Sequence, residues 1–155
     1  MRADNSLDNS ITKQRSLPVA KQTDFLNTPG GRIRKSRMDR NLFIVELAKQ
    51  AKLTKEMISM IERGVYTPKI KTLKKLSEAL DIPIWYLGCF ENLPEDTLGQ
   101  RLRKAKLYAG LISSELAQIL SASHRSVCSW ERDEAIPSPE NKLAVDEFIR
   151  TQLSD

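Results

Sequence analysis

Slid by 69 positions, residues 30–68 lie on residues 99–137 without a gap, and this self-likeness limits the fold more than any other feature of the chain. Eleven of the 39 aligned positions are identical: Gly30/Gly99, Arg32/Arg101, Arg34/Arg103, Lys35/Lys104, Leu42/Leu111, Glu46/Glu115, Leu47/Leu116, Ala48/Ala117, Glu62/Glu131, Arg63/Arg132 and Pro68/Pro137. Several mismatches keep their character, among them Ile33/Leu102, Arg37/Lys106 and Ile58/Val127. Two copies are too few for a solenoid. A length of 155 residues accommodates one ordinary domain or two very small ones. The repeat favours two of one kind: a tail over 1–29, a first domain over 30–88, a linker over 89–97 and a second domain over 98–152.

Each copy reads as a chain of short helices. In the first, the spacing of Ile33 and Met38, Leu47 and Ala51, Ile58 and Ile61, and Ile70, Leu73, Leu76 and Leu80 predicts helices over about 31–40, 44–51, 55–63 and 69–80, with a short one over 83–88. The second predicts helices over about 99–109, 113–120, 124–132 and 139–150. The last opens on Ser138-Pro139-Glu140, a cap, a proline at the first helical position and an acid in the first turn. No stretch alternates with period two, so the fold is expected to be all-α. The second copy stops near residue 150 without a clear fifth helix and is expected to be truncated. Residues 1–29 have sparse, unperiodic apolar side chains, broken by Pro18 and Thr28-Pro29-Gly30-Gly31, and are expected to be a disordered tail.

The net charge is +5, and its placement says more than its total. Residues 30–68 carry 9 basic and 4 acidic groups, and residues 98–130 carry 5 and 1. Residues 69–97 carry 4 and 5, and residues 131–155 carry 3 and 7. Two basic blocks, each followed by a neutral or acidic stretch, suggest two basic faces and a polyanionic partner. A single His and two distant cysteines, Cys89 and Cys128, build no zinc finger, disulfide framework or hydrolytic triad. No apolar run is long enough to span a membrane, and the first residues lack the apolar stretch of a signal peptide. A cytoplasmic protein with no metal and no cofactor is expected, and not an enzyme.

The stretch 44–63 and its counterpart 113–132 have the pattern of two short helices crossing at a steep angle. Ala48 and Ala117 are the small residues at the closest approach. Leu47, Ala51, Leu53, Ile58 and Ile61, matched by Leu116, Leu120, Ala122, Val127 and Trp130, seal the pair. Thr54 and Ser123 stand as N-caps of the next helix. On RIRKSR (32–37), ELAKQAKLTKEMISMIERG (46–64) and TPKIKTLKKLSEALDI (67–82), and on RLRKAK (101–106), ELAQILSASHRSVCSWER (115–132) and IPSPE (136–140), the chain resembles the Cro/XRE-type helix-turn-helix family. The resemblance implies two tandem lambda-repressor-like domains, each placing its third helix in the major groove of DNA. Both copies depart from the family where helix 2 opens. Its usual glutamine, a phosphate ligand, is Ile44 and Ser113, its usual small cap is Phe43 and Ile112, and the turn position that favours glycine is Lys52 and Ser121.

The resemblance assigns the base-reading row to Lys55, Glu56, Ser59 and Met60 in the first copy and to His124, Arg125, Ser126 and Ser129 in the second. Lys55 and Arg125 suit guanine, Glu56 cytosine and Met60 a thymine methyl. Phosphate contacts are expected from Arg32, Arg34, Lys35 and Thr54, and from Arg101, Arg103, Lys104, Ser113 and Ser123. Arg37 with Glu62 and Lys106 with Glu131 look like structural ion pairs tying helix 1 to the end of helix 3. Trp85 and Tyr86 look like the apolar plug of the fifth helix. The implied function is a bacterial or phage-type regulator that binds specific double-stranded DNA at the nucleoid, with no small-molecule ligand evident. A linker of about eight residues reaches at most ~28 Å, enough with the domains' own size to let one chain engage two half-sites. A homodimer or a protein partner stays open. The rival function is a protein-interaction module, antirepressor-like or antitoxin-like, in which one or both copies no longer bind DNA; Ile44 and Glu56 make it most credible for the first.

Overall fold

Thr28 adopts an extended backbone and its hydroxyl accepts from the Gly31 amide at 3.1 Å, while Pro29 takes the first helical position, where its missing N–H costs nothing. The stretch expected to interrupt structure therefore starts a helix. In this computed structural model, which describes residues 25–154, that helix is α1 (Pro29–Asp39). Residues 25–29 join the first unit rather than a tail: the Leu26 carbonyl accepts from Arg32 Nε at 2.8 Å, and the Phe25 ring lies 5.8 Å from the Arg34 guanidinium. The rest of the expected disordered tail lies outside the described residues.

Four more helices complete the first unit: α2 (Ile44–Ala51), α3 (Lys55–Glu62), α4 (Ile70–Leu80) and α5 (Ile84–Leu87). After a 3-10 turn at Phe90–Asn92 come α6 (Leu98–Tyr108), α7 (Ser113–Ile119), α8 (His124–Glu131) and α9 (Pro139–Leu153). No strand occurs among the described residues. The buried apolar side chains form two separate clusters. One gathers Ile33, Leu47, Ala48, Ala51, Ile58, Ile61, Leu73, Leu76, Leu80 and Leu87, and the other Leu102, Leu116, Ala117, Leu120, Val127, Trp130 and Val145. Burying each large aliphatic side chain contributes about 1.5–3 kcal/mol.

The offset of 69 reappears in the backbone. Left-handed residues fall at Asn41 and Gly110, Lys52 and Ser121, and Gly64 and Asp133, three pairs each 69 apart. Close approaches match as well. A Cβ on Gly30 would run into the Ile61 carbonyl oxygen, and one on Gly99 into that of Trp130, so α1 and α6 cross the ends of α3 and α8 at contact distance.

The second set ends differently. Asp81, left-handed at φ 51°, and Pro83 stop α4 and restart the chain as α5. Neither residue has a counterpart after α8, where one helix of 15 residues runs to Leu153, beyond the end expected near 150, and packs on α6. Val145 is its one fully buried side chain, with Phe148 and Ile149 packed beside it. Leu87, fully buried, is the plug contributed by α5. Trp85, expected in that role, is 37% exposed and stacks on Tyr108 of α6, ring centroids 5.8 Å apart at 15°.

Candidate nucleic-acid interface

The turn between α2 and α3 is closed by Lys52 in the left-handed conformation and by the Leu53 amide donating to the Ala48 carbonyl at 2.9 Å. Between α7 and α8 the same bond runs from Ala122 to Ala117 at 3.0 Å, with Ser121 left-handed. Thr54 and Ser123 then accept from the Met57 and Ser126 amides at 3.2 and 3.0 Å. Their caps leave the first turns of α3 and α8 facing outward. Two carboxylates hold the starts of α2 and α7: Glu46 accepts from the Phe43 amide at 2.7 Å and Glu115 from the Ile112 amide at 2.9 Å.

Lys55, Glu56, Ser59 and Met60 come together on one side of α3 and line a shallow groove of about 550 Å³ with Ile44, Val45 and Arg63. Lys55 and Glu56 are both exposed and lie 4.0 Å apart, so the carboxylate offsets much of the positive charge there. The approach to this groove is apolar, with Phe43 75% and Val45 61% exposed at the start of α2. The equivalent turn of α8 presents His124 and Arg125, both exposed, and has no acid in it. Arg125 has no hydrogen-bond or ion-pair partner among the described residues. Ser126 shares a hydroxyl contact of 2.8 Å with the capping Ser123, and Ser129 is half-buried.

Of the expected phosphate ligands, Arg34 and Arg103 are exposed, and Lys35 is exposed beside Asp39 at 2.7 Å. Arg101 gives one N–H to the Glu95 carbonyl at 3.3 Å. Three of these side chains are engaged by internal partners. Arg32 is 7% exposed and spends its guanidinium on the Tyr86 carbonyl at 2.6 Å, the Leu26 carbonyl and the Glu91 carboxylate. Lys104, 5% exposed, donates to the Glu91 and Leu93 carbonyls at 3.1 and 3.3 Å and to the Glu95 carboxylate. The Ser113 hydroxyl gives its single proton to Glu131 Oε2 at 2.9 Å while accepting from Lys106 Nζ at 2.9 Å. A hydroxyl has one proton to give, so this one has none left for phosphate.

The two structural pairs are formed, and differ. Arg37 meets Glu62 through two parallel bonds of 2.7 and 2.9 Å and places a third N–H on the Leu42 carbonyl. Lys106 lies 2.7 Å from Glu131. Hydrogen bonding to Glu62 raises the Arg37 pKa above its ordinary value, so the charge is permanent.

Three residues lie outside the expected set. Val45 and Arg63 line the α3 groove, and Arg132, the equivalent of Arg63, is exposed with its guanidinium on Glu134. Identity at 63 and 132 in the repeat is the sequence signal for the two arginines. Val45 has none.

The helix-turn-helix family matches residues 33–87, which run from within α1 to the end of α5. No curated protein and no solved structure matches the chain. Residues 33–87 are thus similar to the helix-turn-helix family, the Cro/XRE type that the sequence resembles.

Proposed function

We propose that the chain is a sequence-specific double-stranded DNA-binding transcriptional regulator with two helix-turn-helix modules, residues 98–153 forming the second. It works by binding alone, without catalytic step, metal or cofactor. The observation that carries this reading is the first turn of α8. It comes after a turn with a left-handed residue, a closing hydrogen bond and a hydroxyl cap at the positions equivalent to those of the matched module, and it exposes Arg125, which has no partner among the described residues. An exposed guanidinium at the N-terminal turn of a recognition helix suits bidentate bonding to guanine. Arg34, Arg103 and Lys35 supply positioning charge on the phosphates. With no helix among the described residues long and apolar enough to cross a membrane, the proposed setting is the cytoplasm, at the nucleoid.

A second reading applies to the first module alone. Exposed Phe43 and Val45, together with Glu56 beside Lys55, make its outer face more apolar and less positive than that of α8. Such a face fits a protein partner, as in an antirepressor-like or antitoxin-like module, with α8 left to read DNA.

Titration of the full chain against its selected duplex separates the two. Arg125→Ala is expected to weaken binding by about 1–3 kcal/mol, the discrimination of one bidentate guanine contact, under either reading. Lys55→Ala weakens binding comparably if both modules read DNA and leaves it unchanged if only α8 does. Unchanged affinity in Arg125→Ala overturns the assignment of α8.

A further inference from the structure

We infer that the junction between the two units fixes a single separation between the half-sites the chain can occupy, and that Trp85 and Tyr108 are the residues setting this spacing specificity. The inference rests on the reading of both units as DNA-binding. Residues 88–97 do not form a free tether. Arg32 from α1 holds the Glu91 carboxylate, and Lys104 from α6 holds the Glu91 and Leu93 carbonyls and the Glu95 carboxylate. Both cations are more than nine-tenths buried. Moving the connector off α1 would take the Glu91 carboxylate from Arg32 and leave this buried cation only the Leu26 and Tyr86 carbonyls, and moving α6 off the connector would strip Lys104 of the Glu91, Leu93 and Glu95 acceptors; leaving buried charge unpaired is strongly unfavourable. On the flank of this staple, Trp85 of α5 stacks on Tyr108 of α6. Beside it Gly110 leaves room for Ile84, whose Cδ1 would be 3.3 Å from any Cβ there. First-unit and second-unit residues thus meet face to face, and the recognition helices α3 and α8 move as one body.

The consequence for DNA is geometric. Each added base pair moves a half-site by about 3.4 Å and turns it by about 35° around the duplex axis. A flexible linker adapts to such a change with little loss, whereas a fastened junction must break or leave one module unbound.

The experiment titrates the full chain against duplexes carrying both selected half-sites at the selected separation and at one, two and three base pairs more and fewer. Wild type is expected to lose about tenfold or more for one base pair, and the Trp85→Ala/Tyr108→Ala variant to hold neighbouring separations within about threefold while binding the best one less tightly. Equal wild-type affinity across separations overturns the inference and leaves DNA reading intact, as does occupancy of one half-site alone. No binding to any duplex overturns the DNA reading itself. Residual dipolar couplings of the wild-type chain give a check independent of DNA and of variant folding: residues 29–87 and 98–153 should share one alignment tensor, and two tensors would overturn the rigid junction.

Discussion

Arg37 and Lys106 occupy equivalent places in the repeat, but their glutamates are held by different means. A guanidinium covers both oxygens of Glu62 by itself, and the residue opening α2 is free to be Ile44. The single ammonium of Lys106 lies 2.7 Å from Glu131 Oε1 but forms no hydrogen bond to it, and Ser113, the residue equivalent to Ile44, supplies the hydrogen bond to Oε2 with its hydroxyl. The departure that resembles a surviving phosphate ligand is thus an internal repair. Ser113→Ala should lower stability by about 1–3 kcal/mol in urea unfolding, the cost of a part-buried partner left unsatisfied. Adding Lys106→Arg should recover most of that loss; an unchanged midpoint in Ser113→Ala would contradict this role for the hydroxyl. At this scale the sequence is an uneven guide. It shows the paired charges, because a repeated Arg/Lys and Glu at fixed spacing has a simple geometric meaning. It does not show that Arg32 is buried while its twin Arg101 is half-exposed, since that depends on where residues 88–97 cross the surface.

Among the elements, α2 is legible to the residue, and the starts of α3, α7, α8 and α9 are as well: caps and a proline punctuate α3, α8 and α9, and apolar spacing with the repeat places α2 and α7. Sequence and structure part at the start of α1 and in the connector. Thr28-Pro29 is as good a helix start as Ser138-Pro139, but the two glycines after it suggest a break; they are there because α1 and its neighbours pass too closely for a side chain. The connector has the composition of a linker, whereas its carbonyls and carboxylates are acceptors for two buried cations. Glu91 gives this element a pH signature. Burial pushes its carboxyl up, but the hydrogen bond from Arg32, its own backbone N–H and the charges of Arg32 and Lys104 outweigh that and hold it below the ordinary carboxylate range. A carboxylate with a lowered folded-state pKa contributes stability above its unfolded value near about 4.3 and loses it as pH falls through the folded value. The stability gap between wild type and Glu91→Gln should therefore be full near neutrality and shrink as the pH drops below about 4. A gap independent of pH in thermal unfolding would show that the charge of Glu91 is not what fastens the connector.

The whole molecule joins a matched helix-turn-helix over 33–87 to a second set of helices that repeats its left-handed turns and caps and closes with one long helix in place of two. The repeat makes this plan readable from residue order alone, and the separation of charge into two basic blocks points to a polyanion. Mutual placement is not readable, because the Trp85–Tyr108 stack and the Lys104 staple join residues that carry no repeat signal as pairs. The two outer faces also diverge, one apolar and charge-balanced around Val45 and Glu56, the other exposing Arg125. DNA reading by both modules is put to the test by selection from a random duplex-DNA pool with the full-length protein, followed by sequencing. Two enriched motifs at one fixed separation are expected, with the motif read by α8 lost in Arg125→Ala; no enrichment, even at low salt where phosphate contacts are strongest, would contradict it.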